Sequence, residues 1–230
     1  MDALLNFESG NCRPVGLSEE MLAALQSQVK SLFEAARGSH AWDHTQRVFR
    51  LCEKIGREEK ADMDVVRVAA LLHDIGRARQ DDSNGQVCHA RKGAEMAAEM
   101  IQGLPVTEAQ KQNILHCIRS HRFRGERRPE TTEAAVLFDA DKIDAIGAVG
   151  VARAFLFAGE VGARLHNPDI RPQDGRPYSE DDTGYREYCL KLCKIKDGML
   201  TDTGRVLADE RHRFMEEFFT RFLNEYEGKG

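Results

Sequence analysis

Long apolar runs are missing from this chain. The longest, Val68-Ala69-Ala70-Leu71-Leu72, is far short of the roughly 20 residues a helix needs to cross a bilayer, so no membrane association is expected. A secretory leader is not visible either. Met1-Asp2-Ala3-Leu4-Leu5 carries an acid where Lys or Arg would stand, and no apolar core follows it, so the expected location is cytoplasmic. Cysteines at metal-knuckle spacing are lacking too: Cys12, Cys52, Cys88, Cys117, Cys189 and Cys193 contain no CxxC. Most lie in or beside apolar helical stretches, the pattern of reduced core thiols. Basic residues are in the minority, 33 Lys and Arg against 38 Asp and Glu, for a net charge of −5. That balance argues against duplex nucleic acid, whose phosphate track is met by a cationic excess. Small anions are still served by local clusters, the densest being Arg119, His121, Arg122, Arg124, Arg127 and Arg128. Six prolines and 19 scattered glycines, without repeats or polar low-complexity tracts, exclude collagen-like, solenoid and disordered chains.

Alternation at period two is scarce, and the periodicity that remains is helical, so the fold class is all-α. A chain of 230 residues with 41% apolar side chains can bury one substantial core. Ser18, followed by Glu19 and Glu20, reads as an N-cap for a stripe through Met21, Leu22, Leu25, Val29, Leu32 and Phe33. A second helix is expected from about Asp43, and a third over about 63–78, apolar nearly all round and therefore central to the bundle. Gln80 to Gln86 reads as a polar loop, followed by helices carrying Ala94, Ala97, Ala98 and Ile101, then Ile114, Leu115 and Ile118. Further helices are expected from about 131 and over about 148–159, then a long loop at 163–180 with Pro168 and Pro172, and two final helices. The last carries Phe214, Met215, Phe218, Phe219, Phe222 and Leu223, a stripe that suits a core or a subunit contact, so a homodimer is compatible with it.

The informative feature is His73-Asp74 at the end of the most apolar helix. An unpaired carboxylate there would cost several kcal/mol, so it must be protonated, paired, hydrogen-bonded or bound to a metal. A bare core pairing is the ordinary fate of such a dipeptide. Two further elements weigh against that fate: His40-Ala41-Trp42-Asp43-His44 upstream, and Asp139-Ala140-Asp141-Lys142 downstream on an otherwise apolar helix. Together they read H…HD…D. In this order and context His44, His73, Asp74 and Asp141 resemble the metal-binding signature of the HD-domain phosphohydrolases. The segment Asp139 to Phe155 and the carboxy-terminal Leu190-Lys191-Leu192 and Arg211 to Met215 are similar to the stand-alone bacterial HD hydrolases. Some of these are nucleoside triphosphate pyrophosphohydrolases. The resemblance covers roughly residues 40–222. It implies an HD core over 40–160, an N-terminal helical segment over 1–39, and a C-terminal loop and helices, 161–230, packed on the core.

Two imidazoles and two carboxylates form a mixed N/O ligand set that suits a divalent ion, Mn²⁺ ahead of Fe²⁺, Co²⁺, Ni²⁺ or Mg²⁺, better than a sulfur-rich zinc site. Such an ion keeps positions open for water and a phosphoryl oxygen. Asp74, binding with one oxygen and orienting water with the other, is the expected general base. His40 and Asp43 read as capping or supporting groups. His89, His116 and His121 are additional histidines. His116 and His121 lie five residues apart, about 140° round a helix, so at most one should face the site. Substrate phosphate contacts are assigned to Arg77, His89, Lys92, His121 and Lys142. Arg153, in an apolar stretch, should pair with an acid such as Asp144 or face the pocket. The resulting expectation is a hydrolase of a small phosphorylated metabolite, a (deoxy)nucleotide in particular, with dNTP cleavage to dNMP and pyrophosphate its most specific form. A nucleotidase-type phosphomonoesterase is the alternative within the class. A dinuclear-metal oxygenase on the same scaffold is the alternative outside it, and gains if His89 or His116 joins His121 around a second ion bridged by Asp74.

Overall fold

The computed structural model describes residues 16–33, 42–83, 86–122 and 128–229. Among these there is no strand, and the fold is all-α as expected. Ten α-helices follow one another: α1 Glu19–Leu32, α2 Trp42–Glu58, α3 Met63–Leu72, α4 Arg77–Asp82, α5 His89–Met100, α6 Glu108–Ser120, α7 Thr132–Ile143, α8 Gly147–Glu160, α9 Gly184–Leu190 and α10 Asp202–Tyr226. Among the described residues no helix is long and apolar enough to cross a membrane. His40, Cys12, Arg124 and Arg127 lie outside the described residues.

Helix starts are written in the sequence. Ser18 accepts from Met21 N–H, Asp62 from Asp64 and Val65, Thr131 from Ala134 and Thr201 from Gly204, while Thr107 and Gln110 close a reciprocal capping box. Helix α3 is the core element. From Val65 to Leu72 it is buried except at Arg67, and it packs on α1, α2, α6 and α7. Ala69 and Ala70 let those neighbours approach. The last helix, α10, buries Leu207, Ala208, Met215 and Phe219 against α7 and α8, whereas Phe214 stays exposed. Phe219 stacks on Tyr188 of α9 at 4.4 Å between ring centroids. The five described cysteines are free, but only Cys52 and Cys117 are buried.

The structure corrects the third helix. It stops at Leu72, a turn covers 73–76, and α4 begins at Arg77. The cause is Gly76: an added Cβ would stand 2.3 Å from the His89 carbonyl oxygen and 2.5 Å from the Gly93 amide nitrogen. Helix α5 lies against this turn so closely that only glycine fits, and the chain bends away where the periodicity predicts a continuation. Asp43 is likewise not the cap of α2 but sits in its first turn, paired with Arg47 at 2.6 Å.

Candidate metal centre

Five elements converge on one buried spot. His44 comes from the first turn of α2, His73 and Asp74 from the turn after α3, His89 from the start of α5, His121 from the end of α6 and Asp141 from the last turn of α7. All are buried except Asp141, whose side chain is 19% exposed. Each imidazole is fixed through Nδ1. The Nδ1 of His73 and of His121 lies 2.7 Å from the carbonyl three residues back, on Ala70 and Ile118; that of His89 lies 2.8 Å from Gln80 Oε1, and that of His44 2.8 Å from Asp144 Oδ2. With Nδ1–H donated to these oxygens, Nε2 of every ring is turned to the centre, the second-sphere pattern typical of metal-ligating histidines.

The Nε2 atoms divide between two groups. His44 Nε2 lies 3.5 Å from His73 Nε2 and 3.4 Å from Asp141 Oδ1, and both imidazoles stand 3.9 Å from Asp74 Oδ2. His89 Nε2 and His121 Nε2 lie 3.1 Å apart, and stand 3.4 and 3.7 Å from Asp74 Oδ1. His44, His73 and Asp141 thus form one set of donors, Asp74, His89 and His121 another, with the two oxygens of Asp74 facing different sets. Around a divalent ion with bonds of about 2.1 Å, neighbouring ligand atoms sit about 3 Å apart, so both groups fit a cation. The second gives the sharper test. With Nδ1–H spent on Gln80 and Ile118, the two Nε2 atoms at 3.1 Å can be reconciled only by a second proton on one ring or by a shared cation that both coordinate.

Electrostatics agree with this donor set. Burial disfavours a charged His44, but hydrogen bonds to Asp141 and Asp144 and the nearby Asp74 outweigh it and raise its pKa to about 9. Burial lowers His73 to about 4 and His89 to about 2, and the neighbouring His121 acts in the same direction on both. Against the upward push of burial, His73, His121 and Arg77 hold Asp74 well below the usual carboxylate range. Lys142 and His44 do the same for Asp141. The metal-free site therefore carries a proton on His44 that a cation must displace. Metal affinity should rise roughly tenfold per pH unit from about pH 6 to 8 and level off near 9. Calorimetric titration of stripped protein with Mn²⁺ in buffers of different ionisation enthalpy should detect about one proton released. A flat affinity across that range would show that His44 is already neutral.

Of the residues assigned to substrate, the structure brings four to this centre. His89 and His121 face Asp74 directly. Arg77 reaches both Asp74 oxygens at 3.1 and 3.2 Å, and Lys142 donates to Asp141 at 2.6 Å and to the His121 carbonyl at 2.8 Å. Lys92 is not brought in: its side chain is 41% exposed and its ammonium pairs with Glu95. His116 faces elsewhere and accepts from the Glu130 N–H. Asp139 is occupied too, taking the amides of Leu200 and Thr201 and the Thr201 hydroxyl.

Sequence reasoning missed two supporting groups. Gln80 anchors His89, and nothing in its polar surroundings distinguishes it. Asp144 was legible only as a partner for Arg153, which it is, at 2.8 Å. The same carboxylate also holds His44 and accepts from Arg47 at 2.7 and 3.1 Å, and His44 and Arg47 keep it down at about 2 against burial. Its position, three residues after Asp141 and so on the same helix face, was the available signal. Asp144→Asn should weaken metal binding about 10–100-fold, measured by metal titration of stripped protein. Unchanged affinity would mean that His44 needs no such anchor.

A family model described as the HD domain matches residues 41–146, a span that encloses every donor named above. The chain belongs to the HD superfamily, in its class of stand-alone hydrolases, and is a metal-dependent phosphohydrolase. It is similar to YpgQ of Bacillus subtilis, with 34% identity over 208 residues that cover 89% of this chain and 93% of YpgQ. The crystal structure of YpgQ in complex with ADP superposes with a TM-score of 0.69 at 30% identity, covering 91% of this chain and 100% of that one. An HD-superfamily hydrolase from Bacillus thuringiensis gives a TM-score of 0.72 at 28% identity, covering 90% of this chain and 97% of its own.

Proposed function

We propose that the chain hydrolyses a phosphoric ester or anhydride of a nucleotide, with cleavage of a deoxynucleoside triphosphate to the monophosphate and pyrophosphate as the specific reaction. One observation carries this reading: four imidazoles, each locked through Nδ1, turn Nε2 toward Asp74 and Asp141. His44, His73, Asp74 and Asp141 would hold a divalent ion, with Mn²⁺ the first choice for a nitrogen and oxygen donor set. When bound, such an ion supplies Lewis acidity for the phosphoryl group and for water. Asp74 is ionised, so it orients the attacking water as a hydrogen-bond acceptor and takes up its proton as the bond to phosphorus forms. Arg77 and Lys142 provide the positive charge that a substrate phosphate requires. The ADP held by the related YpgQ structure supports a nucleotide over other phosphorylated metabolites.

A dinuclear centre is the second reading, favoured by His89 and His121 at 3.4 and 3.7 Å from Asp74 Oδ1. It suits phosphoryl hydrolysis by two ions as well as an iron oxygenase. The test loads stripped protein with single divalent ions and assays a nucleotide panel with phosphate and pyrophosphate measured separately. Pyrophosphate release supports the specific reading, and phosphate release a nucleotidase. Oxygen consumption with Fe²⁺ and no hydrolysis would overturn both.

A further inference from the structure

The protein carries a second concentration of positive charge, away from the donor atoms of the metal centre. A cleft of about 330 Å³ lies between α2, the α7–α8 turn and α10, lined by Arg47, Arg50, Leu51, Lys54, Asp144, Val149, Leu207 and Arg211. Arg47, Arg50, Leu51 and Lys54 follow one face of α2 at helical spacing. The lining holds four cations and one acid, Asp144, which already serves His44, Arg47 and Arg153, and Arg47 is paired with Asp43 as well. Among the described residues no carboxylate forms an ion pair with Arg50, Lys54 or Arg211. Arg50 and Lys54 are exposed, and such residues are ordinarily just solvated.

Arg211 is different. Its guanidinium is part-buried, donating to the carbonyls of Ile143 and Ile146. Burial lowers its pKa in spite of Asp144 and Glu210, as expected of a cation short of counter-charge. In a chain of net charge −5, an open cleft in which Arg50, Lys54 and Arg211 have no carboxylate partner runs against the average, and an anion would complete it. The volume corresponds to about eleven waters at ~30 Å³ each, room for a chain of phosphates. The rest of the lining, Leu51, Val149 and Leu207, is apolar.

We propose that this cleft binds a di- or triphosphate group, with Arg50, Lys54 and Arg211 as its ligands, as a site separate from the metal centre. The His44 ring and the Asp144 carboxylate stand between the two, and the proposal does not depend on the reaction assigned to the centre.

The test is calorimetric titration of the full chain in EDTA with tripolyphosphate, ATP and adenosine. Tripolyphosphate and ATP should bind and adenosine should not, with affinity falling as salt is raised. Equal affinity for the two phosphates places recognition in the phosphate chain, while tighter ATP binding adds the apolar wall. Arg50→Glu/Lys54→Glu should weaken binding at least tenfold and the neutral Arg50→Gln/Lys54→Gln at least threefold. Both exposed pairs should leave the far-ultraviolet circular dichroism unchanged. Arg77→Ala, at the metal centre, should change affinity less than twofold. No binding by the parent chain, or a loss with Arg77→Ala and none with the two cleft variants, overturns the proposal.

Discussion

Asp74→Ala should cut turnover by about 10³-fold or more, some 4 kcal/mol of transition-state stabilisation, and should strip the protein of metal. Asp74 is the residue on which both donor groups depend: Oδ2 faces His44 and His73, and Oδ1 faces His89 and His121. Without it each group loses an oxygen donor, and Arg77 loses its carboxylate partner. The helices around it are held by α3 and its apolar contacts rather than by this carboxylate, so the far-ultraviolet circular dichroism should stay helical. Metal content by elemental analysis and steady-state hydrolysis rates check the prediction together. Parent-like metal content with parent-like kcat/KM would remove Asp74 from the chemistry.

Gly76→Ala should destabilise the protein by about 3 kcal/mol or more, the range of overpacked and strained core substitutions. For a chain of this size that corresponds to a fall in Tm of roughly 6–12 °C. The atoms in the way, the His89 carbonyl oxygen and the Gly93 amide nitrogen and Cα, are backbone, so α5 must move as a body to make room. Since His89 opens α5, the shift should also separate His89 from His121 and Asp74, lowering metal occupancy in the surviving folded protein. Gly103→Ala is the control, because a Cβ there meets nothing within 4 Å. It should leave Tm within about 2 °C of the parent. Equal Tm values for the two variants would show that α5 has slack at this contact.

The parts of this architecture that local chemistry determines were readable in advance. An acid at the end of the most apolar helix has few outcomes, and His73-Asp74 pointed to the centre for that reason. His44, at the opening of its helix, and Asp141, one of two acids on an otherwise apolar helix, followed from the resemblance to the HD signature. The break after Leu72 was not readable, because it comes from the close approach of α5, a contact between segments whose mutual position no periodicity encodes. His89 and His121 stand 32 residues apart in the chain yet 3.1 Å apart in space. Spacing could say that His121 and His116 diverge, but not that His121 would meet His89. Lys92 shows the converse: its proximity to His89 in sequence suggested a shared role, and the helix turns it outward to Glu95.

The contacts of Asp139 and Arg211 bear on how the centre could be reused. Helix α7, which supplies Asp141, is tied to the region after residue 198 at both faces of its last turns: Asp139 by the amides of Leu200 and Thr201, the Ile143 carbonyl by Arg211. A fragment cut at residue 146 would retain each donor histidine and aspartate and lose both ties. It would leave the Asp139 carboxylate without its donors and its cover, and an unfinished helix end. The catalytic unit of this protein is therefore not a portable cassette: moving it onto another scaffold means transplanting its C-terminal clasp as well.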